Sequence, residues 1–236
     1  MPAPIWAGHF NLNGNGEMTG THWINEVGYF MSPICLTNTH SVGMAHHATV
    51  GWMIEQYKSV CQEDHAWAMP VIAETYDGMC NDICGRHITE KDVLKAINSA
   101  NNGPVAEGNV GGGGGMQTYE FKGGTGTASR MISFEDKQYT VAALVQSNFD
   151  IRHESNILGV PVGKHMRENA LVSELSGHGQ GSIIVIIATD APMLPVQLKR
   201  VAKRGRSVLA AQAPPVGITP AILCWLFPSS MLWIFH

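Results

Sequence analysis

Ser182 stands at the head of the apolar run Ser182 to Ala188, behind the small and polar loop Gly177-His178-Gly179-Gln180-Gly181. A hydroxyl at such a junction becomes exposed if the backbone is cut between Gly181 and Ser182. On these residues alone, the simpler reading is a Gly-Ser pair that ends a loop before a core strand. Other reactive types are scattered. The five cysteines, at 35, 61, 80, 84 and 224, are an odd number in a long chain and imply no disulfide framework. Cys80 and Cys84 lie four apart, wider than a zinc knuckle, and no second pair completes a site, so no metal is expected. The neighbouring His46 and His47 sit in a helical pattern, where adjacent side chains point to different faces and chelate poorly.

Glycine is concentrated between Gly108 and Gly126. No Gly-Lys-Ser/Thr follows the run Gly111 to Gly115, and no partner acid stands at the dinucleotide-binding spacing, so neither nucleotide pattern is met. Close backbone approach around a buried centre explains the glycines better.

The elements that must position these groups alternate between strand-like and helix-like. A strand is expected near Ile5 to Leu12, followed by a turn at Asn13-Gly14-Asn15-Gly16. Thr21 is expected to cap a helix carrying Trp23, Ile24, Val27 and Phe30. Ile34 to Thr37 and Val71 to Thr75 read as strands, and Val42 to Val60 as one longer helix. Thr89 with Asp92 resembles a capping box for a helix through Val93, Leu94 and Ile97. Tyr139 to Gln146 and Ser182 to Ala188 are strand candidates, and Pro192 to Arg204 reads as a helix with a proline in its first turn. Sheets covered by helices are the simplest assembly.

Composition fits such a unit: 236 residues, 44% hydrophobic and 14% charged, with a net charge of −4. The one basic run, Lys199, Arg200, Lys203 and Arg204, reads as a solvated helix face, so nucleic acid is not an expected partner. Met1 to Phe10 lacks the form of a signal peptide. The apolar stretch Ile222 to Phe235 is interrupted by Pro228 and falls short of the roughly 20 residues a membrane span needs. A cytoplasmic setting without membrane attachment is expected, and a missing N-terminal segment leaves secretion or the periplasm open.

Several stretches, in order, resemble the L-aminopeptidase/D-esterase family, which includes the β-peptidyl aminopeptidases. They are Asn13-Gly14-Asn15-Gly16, Thr37 to Gly43, Glu74-Thr75-Tyr76-Asp77-Gly78, Gly103 to Gly108, Phe121-Lys122-Gly123-Gly124, Leu144 to Asn148 and Ala188 to Pro192. The resemblance covers roughly residues 5 to 204. It implies an α/β fold, an αββα four-layer sandwich with two sheets between helix layers, assembled into homo-oligomers. It implies a precursor that cuts itself at Gly181-Ser182, with Ser182 as the nucleophile of a serine aminopeptidase. The freed α-amine, with a pKa of about 8, would remove the hydroxyl proton. Asn148 matches an asparagine that helps hold the oxyanion, and Tyr76 a tyrosine whose phenol lies near the nucleophile. Glu74 matches the group that binds the substrate's free amine, and Gly112 and Gly113 belong to a loop that shapes the pocket. Substrates would be small peptides, amides or esters, with no cofactor. A related acyltransferase, of ornithine acetyltransferase type, uses threonine as nucleophile, and Ser182 speaks against it.

Two departures from the family pattern are expected to matter. Family members carry further residues before the part that matches Pro4, and without the opening strand expected there a sheet edge would be left uncovered. After Arg204 the family continues into a Ser-Gly-Asp/Glu motif that orients the catalytic groups, whereas Gly205 to Ile222 lacks it. Reading Val208 to Ile222 two bases later, with suitable synonymous codons, places Ser-Gly-Asp over Thr219 to Ile222. The expected organisation is therefore one peptidase-like domain over 1–204 with a junction at 181/182, then a frameshifted tail over 205–236. That tail would replace a strand and a catalytic carboxylate, and would expose Trp225, Leu226, Phe227, Trp233 and Phe235 as an aggregation-prone patch. A catalytically impaired remnant that only binds or oligomerises is the alternative this loss supports.

Overall fold

The computed structural model describes residues 3–12, 14–149, 151–166, 181–212, 218–226 and 234–235, with backbone alone at 206, 208–212, 218–226 and 234–235. The first strands are β1 (Ile5–Asn11), β2 (Tyr29–Phe30), β3 (Ile34–Asn38) and β4 (Val71–Thr75). Two short ones follow, β5 (Gln117–Thr118) and β6 (Phe121–Lys122), then the long pair β7 (Gly124–Phe134) and β8 (Lys137–Asn148). The last are β9 (Gly181–Thr189), β10 (Ile218–Leu226) and β11 (Ile234–Phe235). The helices are α1 (Thr21–Val27), α2 (Val42–Gln56), α3 (Lys58–Glu63), α4 (Glu90–Ser99) and α5 (Pro195–Gln212).

Six strands form one mixed sheet in the order β2-β1-β10-β9-β8-β7, and three form a parallel sheet in the order β11-β3-β4. The period-two alternation of side chains on β9 explains the layering. Ile184, Ile186 and Ala188 join Ala7 and Leu144 of the large sheet against Ile34, Leu36, Val71 and Ala73 of the small one. Ile183 and Val185 turn the other way, onto Leu198 and Ala202 of α5. Buried on both faces, β9 reads as an unbroken apolar run, each large side chain contributing about 1.5–3 kcal/mol by its burial.

The small sheet repeats the arrangement. Cys35 and Ile72 face away from the inter-sheet core and pack on Ala45 and Ala48 of α2 and Val93 and Ile97 of α4. The result is the αββα sandwich: α5, the six-stranded sheet, the three-stranded sheet, then α2 with α4. The outer layer lies close against its sheet, since a Cβ on Gly8 of β1 would come within 2.2 Å of the Lys199 backbone nitrogen. No helix among the described residues is long and apolar enough to cross a membrane.

Several local expectations are corrected. Gly20, at φ 72°, occupies the cap position of α1, while the Thr21 hydroxyl donates to the Met18 carbonyl 3.2 Å away; Phe30 lies beyond the helix, on β2. The single helix expected over Val42 to Val60 is interrupted at Tyr57, whose φ of −122° and ψ of 37° leave the helical region. The helix expected over Pro192 to Arg204 starts at Pro195 and continues without a break to Gln212. Part of the tail also enters the fold: β10 lies between β1 and β9, with Thr219 opposite Ser182 in a parallel register. The loop Gly177–Gln180, together with Phe227 and Trp233, lies outside the described residues. So do the side chains of Trp225, Leu226 and Phe235, and with them their expected exposure.

Candidate active site

Three chain segments meet at Ser182. The antiparallel β8–β9 ladder sets Asn148, the last residue of β8, directly opposite it. The alternation that turns Ile184 and Ile186 inward also turns Ser182 toward the small sheet, where β4 ends at Thr75. Thr75 points into the core, so the next residue, Tyr76, presents its backbone N–H rather than its side chain. That N–H donates to Ser182 Oγ at 3.0 Å. Asn148 Nδ2 donates to the same Oγ at 3.2 Å and to the Tyr76 carbonyl at 2.6 Å.

The Asn148 side chain is held from its other end. Its Oδ1 accepts from the Gln117 backbone N–H at 2.9 Å, which fixes the amide with nitrogen toward Ser182. Ser182 itself is 5% exposed. An Oγ that accepts two N–H donors in a dry site is stabilised as negative charge develops on it, and its own proton is directed elsewhere. Gly181 fits because it must: a Cβ there would lie 2.6 Å from Phe149 Cα and 2.9 Å from the Asn148 carbonyl oxygen.

The other expected residues are placed differently. The Tyr76 ring is half exposed and rests beside Gly78, so the expected contact between phenol and nucleophile is made here by the main chain. Glu74 lies on the face of β4 that carries Ile72 and is buried. Its Oε1 accepts from the Glu17 N–H at 3.1 Å, and its Oε2 accepts from the Thr39 hydroxyl. No described hydrogen bond joins it to Ser182. Gly112 and Gly113 serve close packing: a Cβ on Gly112 would lie 2.5 Å from Gln146 Oε1, and one on Gly113 2.7 Å from the Thr125 nitrogen.

Two further partners are given no role by the sequence: Gln117 has no side-chain signal to read, and Asp77 stands inside the motif Glu74 to Gly78 without a function of its own. Gln117 acts through its backbone, and Asp77 acts by holding the loop. The buried Asp77 carboxylate accepts from Asn38 Nδ2 at 3.1 and 3.2 Å and from Asn81 Nδ2 at 2.8 Å, tying the segment after Tyr76 to β3. Beside this loop a cavity of about 310 Å³ is lined by Leu36, Asn38, Asp77, Val93, Gly111 and Gly112, with Cys35 at its wall. Burial pushes the Cys35 thiol up to about 11, partly offset by a hydrogen bond with Thr49. Among the described residues no three His, Cys, Asp or Glu side chains are grouped to hold a metal ion.

Residues 1–217 match Peptidase family S58. The chain is 51% identical over 212 residues to the beta-peptidyl aminopeptidase BapA of Sphingosinicella microcystinivorans, covering 85% of this chain and 52% of that protein. It is 42% identical over 209 residues to the BapA of Sphingosinicella xenopeptidilytica, with the same coverage of 85% and 52%. It thus spans about half the length of the curated relatives it matches. Among solved structures it is similar to the L-aminopeptidase D-Ala-esterase/amidase of Ochrobactrum anthropi, described as a prototype for the serine aminopeptidases and a new variant among the Ntn hydrolase fold. That match has a TM-score of 0.90 at 48% identity, over 100% of this chain and 66% of the other. A beta-aminopeptidase of Burkholderia sp. matches with a TM-score of 0.84 at 42% identity, over 96% of this chain and 63% of the other.

Proposed function

Because the chain belongs to peptidase family S58, we propose that it is a self-processing serine aminopeptidase that releases N-terminal residues from small peptides, amides or esters. The observation that carries this reading is the pair of N–H donors, from Tyr76 and Asn148, on the buried Ser182 Oγ. In the first step Ser182 Oγ attacks the Gly181 carbonyl carbon. As the Gly181–Ser182 C–N bond breaks, the hydroxyl proton passes to the departing nitrogen, and an ester links Gly181 to Ser182. Water hydrolyses the ester, leaving a Gly181 carboxylate and a free Ser182 amine and hydroxyl. That amine then serves as the base for attack on substrate, giving an acyl-enzyme that water resolves. From the resemblance we take Asn148 as the oxyanion donor, Glu74 as the group for the substrate's amine and Gly112 and Gly113 as pocket residues; in the resting chain the Asn148 and Tyr76 N–H donors rest on Ser182 Oγ itself. No cofactor enters, and copies of the chain assemble as homo-oligomers in the cytoplasm.

One observation favours a second reading, in which residues 1–204 are the peptidase domain and 205–236 an aberrant tail that impairs turnover. No Asp or Glu follows Asp190, and the strand paired with β9 beside the nucleophile carries Thr219, Pro220, Ala221 and Ile222. The carboxylate expected there is missing, which leaves a remnant that binds or oligomerises. Intact mass of the purified chain separates the readings. Fragments of residues 1–181 and 182–236 that disappear in a Ser182→Ala variant support the peptidase, and a chain that stays whole supports the remnant.

A further inference from the structure

Directly behind Tyr76 and Asn148, which donate to Ser182 Oγ, and Gln117, which anchors Asn148, lies a second set of three. Tyr76, Gln117 and Asn148 are each preceded, by one or two residues, by Thr75, Met116 and Gln146, and these are all fully buried at 0% exposure. They are joined to one another. Gln146 Nε2 donates to Thr75 Oγ1 at 2.5 Å and lies 3.5 Å from the Thr37 carbonyl, and Thr75 Oγ1 in turn donates to Met116 Sδ at 3.1 Å. Gln146 and Asn148 share the inward face of β8, Thr75 ends β4, and Met116 leads into β5.

A buried carboxamide is an expensive way to fill a core, and stability does not account for this one. Its Oε1 finds no hydrogen-bond partner among the described residues, and Gly112 leaves its flank open because any Cβ there would lie 2.5 Å from that oxygen. A leucine of similar size would pack without the orphaned acceptor. What Gln146 does supply is a fixed distance between the two sheets at the point where both donors to Ser182 are mounted. The Tyr76 N–H belongs to the segment leaving the small sheet, and Asn148 Nδ2 to the large one.

We propose that Gln146 is a positioning residue: through Thr75 it sets the separation of the two sheets so that the Tyr76 N–H and Asn148 Nδ2 converge on Ser182 Oγ. This rests on the reading of Ser182 as a nucleophile only for its consequence; the geometry it sets is present whether or not the chain turns over.

Hydrogen exchange followed by NMR with Ser182 left in place, so that its Oγ remains the acceptor of the Tyr76 N–H, tests it without requiring activity. In Gln146→Leu the Tyr76 amide is expected to exchange at least tenfold faster, with amides of β9 such as Val185 unchanged. Equal protection of Tyr76 in both proteins, or a uniform loss across β9, overturns the proposal. Should Gln146→Leu not fold, the pair Thr75→Ser and Thr75→Val carries the test, because serine keeps the hydroxyl that Gln146 grips. Serine must retain Tyr76 protection and valine must lose it, and identical behaviour of the two overturns the proposal. If the wild-type chain cuts itself, Gln146→Leu slows that step by about a hundredfold, the scale of a misplaced catalytic group, while KM for a small amide stays within about twofold. A chain that never cuts refutes the peptidase reading and leaves the exchange result to stand or fall by itself.

Discussion

Asn148 and Ser182 face each other across the β8–β9 ladder, the amide nitrogen of the one 3.2 Å from the hydroxyl oxygen of the other. The contact survives because Asn148 is anchored at its far end by the Gln117 N–H and not by solvent. Replacing it by alanine removes one of two donors on a buried oxygen. The expected loss is about 10²–10³ in the rate of cutting at 181/182, or roughly 3–4 kcal/mol. Asn148→Asp loses at least as much, because it trades a donor for a charge beside a developing anion. Time courses of intact mass measure both, and an alanine variant that cuts at the wild-type rate removes Asn148 from the mechanism.

Gly181 allows no side chain. A Cβ would press on Phe149 Cα and the Asn148 carbonyl, both backbone atoms that cannot rotate away. Gly181→Ala is therefore expected to destabilise by about 1–3 kcal/mol and to displace Asn148. Thermal melting should show a loss of several degrees, and shortening Phe149 to alanine should not restore it. Recovery in the double variant would place the clash in the ring instead.

His9 sits buried in β1, and burial with the nearby Lys199 charge lowers it to about 4 from 6.5. The unfolded chain takes up a proton there as pH falls below about 6.5, and the folded chain resists until about 4. The unfolded state thus binds more protons in that window, and stability declines as pH drops through it, by roughly 3 kcal/mol from this group. Melting temperature against pH should fall between 6.5 and 4 and flatten in His9→Gln. An unchanged slope in that variant would assign the acid sensitivity elsewhere.

The tail makes a prediction about nucleic acid sequence rather than about protein. If residues from about 205 onward are read in a shifted frame, the coding DNA across Val208 to Ile222 spells Ser-Gly-Asp near position 220 when read two bases later. An alternative frame without that motif ends the idea. Where the motif is present, restoring it should raise turnover of an aminoacyl p-nitroanilide without altering cutting-site position.

Sequence pattern reaches some of this structure and stops at definite points. Val71 to Thr75 is a strand with the expected limits, because a run in which four of five positions are apolar or β-branched is bounded by loops. The capping box at Thr89 and Asp92 is present, since both partners lie within one turn and need no distant help. The break at Tyr57 carries no glycine or proline and could not be read, because it depends on tertiary context. The family resemblance singles out Ser182, Asn148 and Tyr76, and the three share one hydrogen-bonded group, in which Tyr76 takes part through its main chain. Side-chain motifs cannot show that the contact belongs to an amide proton, which every residue but proline possesses. Gln117 was invisible for the same reason, and strand β10 because its composition departs from the family's.

The two donors on Ser182 are carried by different sheets, so neither sheet alone can arm the serine. A chain that has formed its strands but not yet closed its sandwich lacks one of the two N–H donors on the hydroxyl at position 182. On the self-processing reading proposed above, cutting at 181/182 would wait on the meeting of the two sheets and would report a closed sandwich.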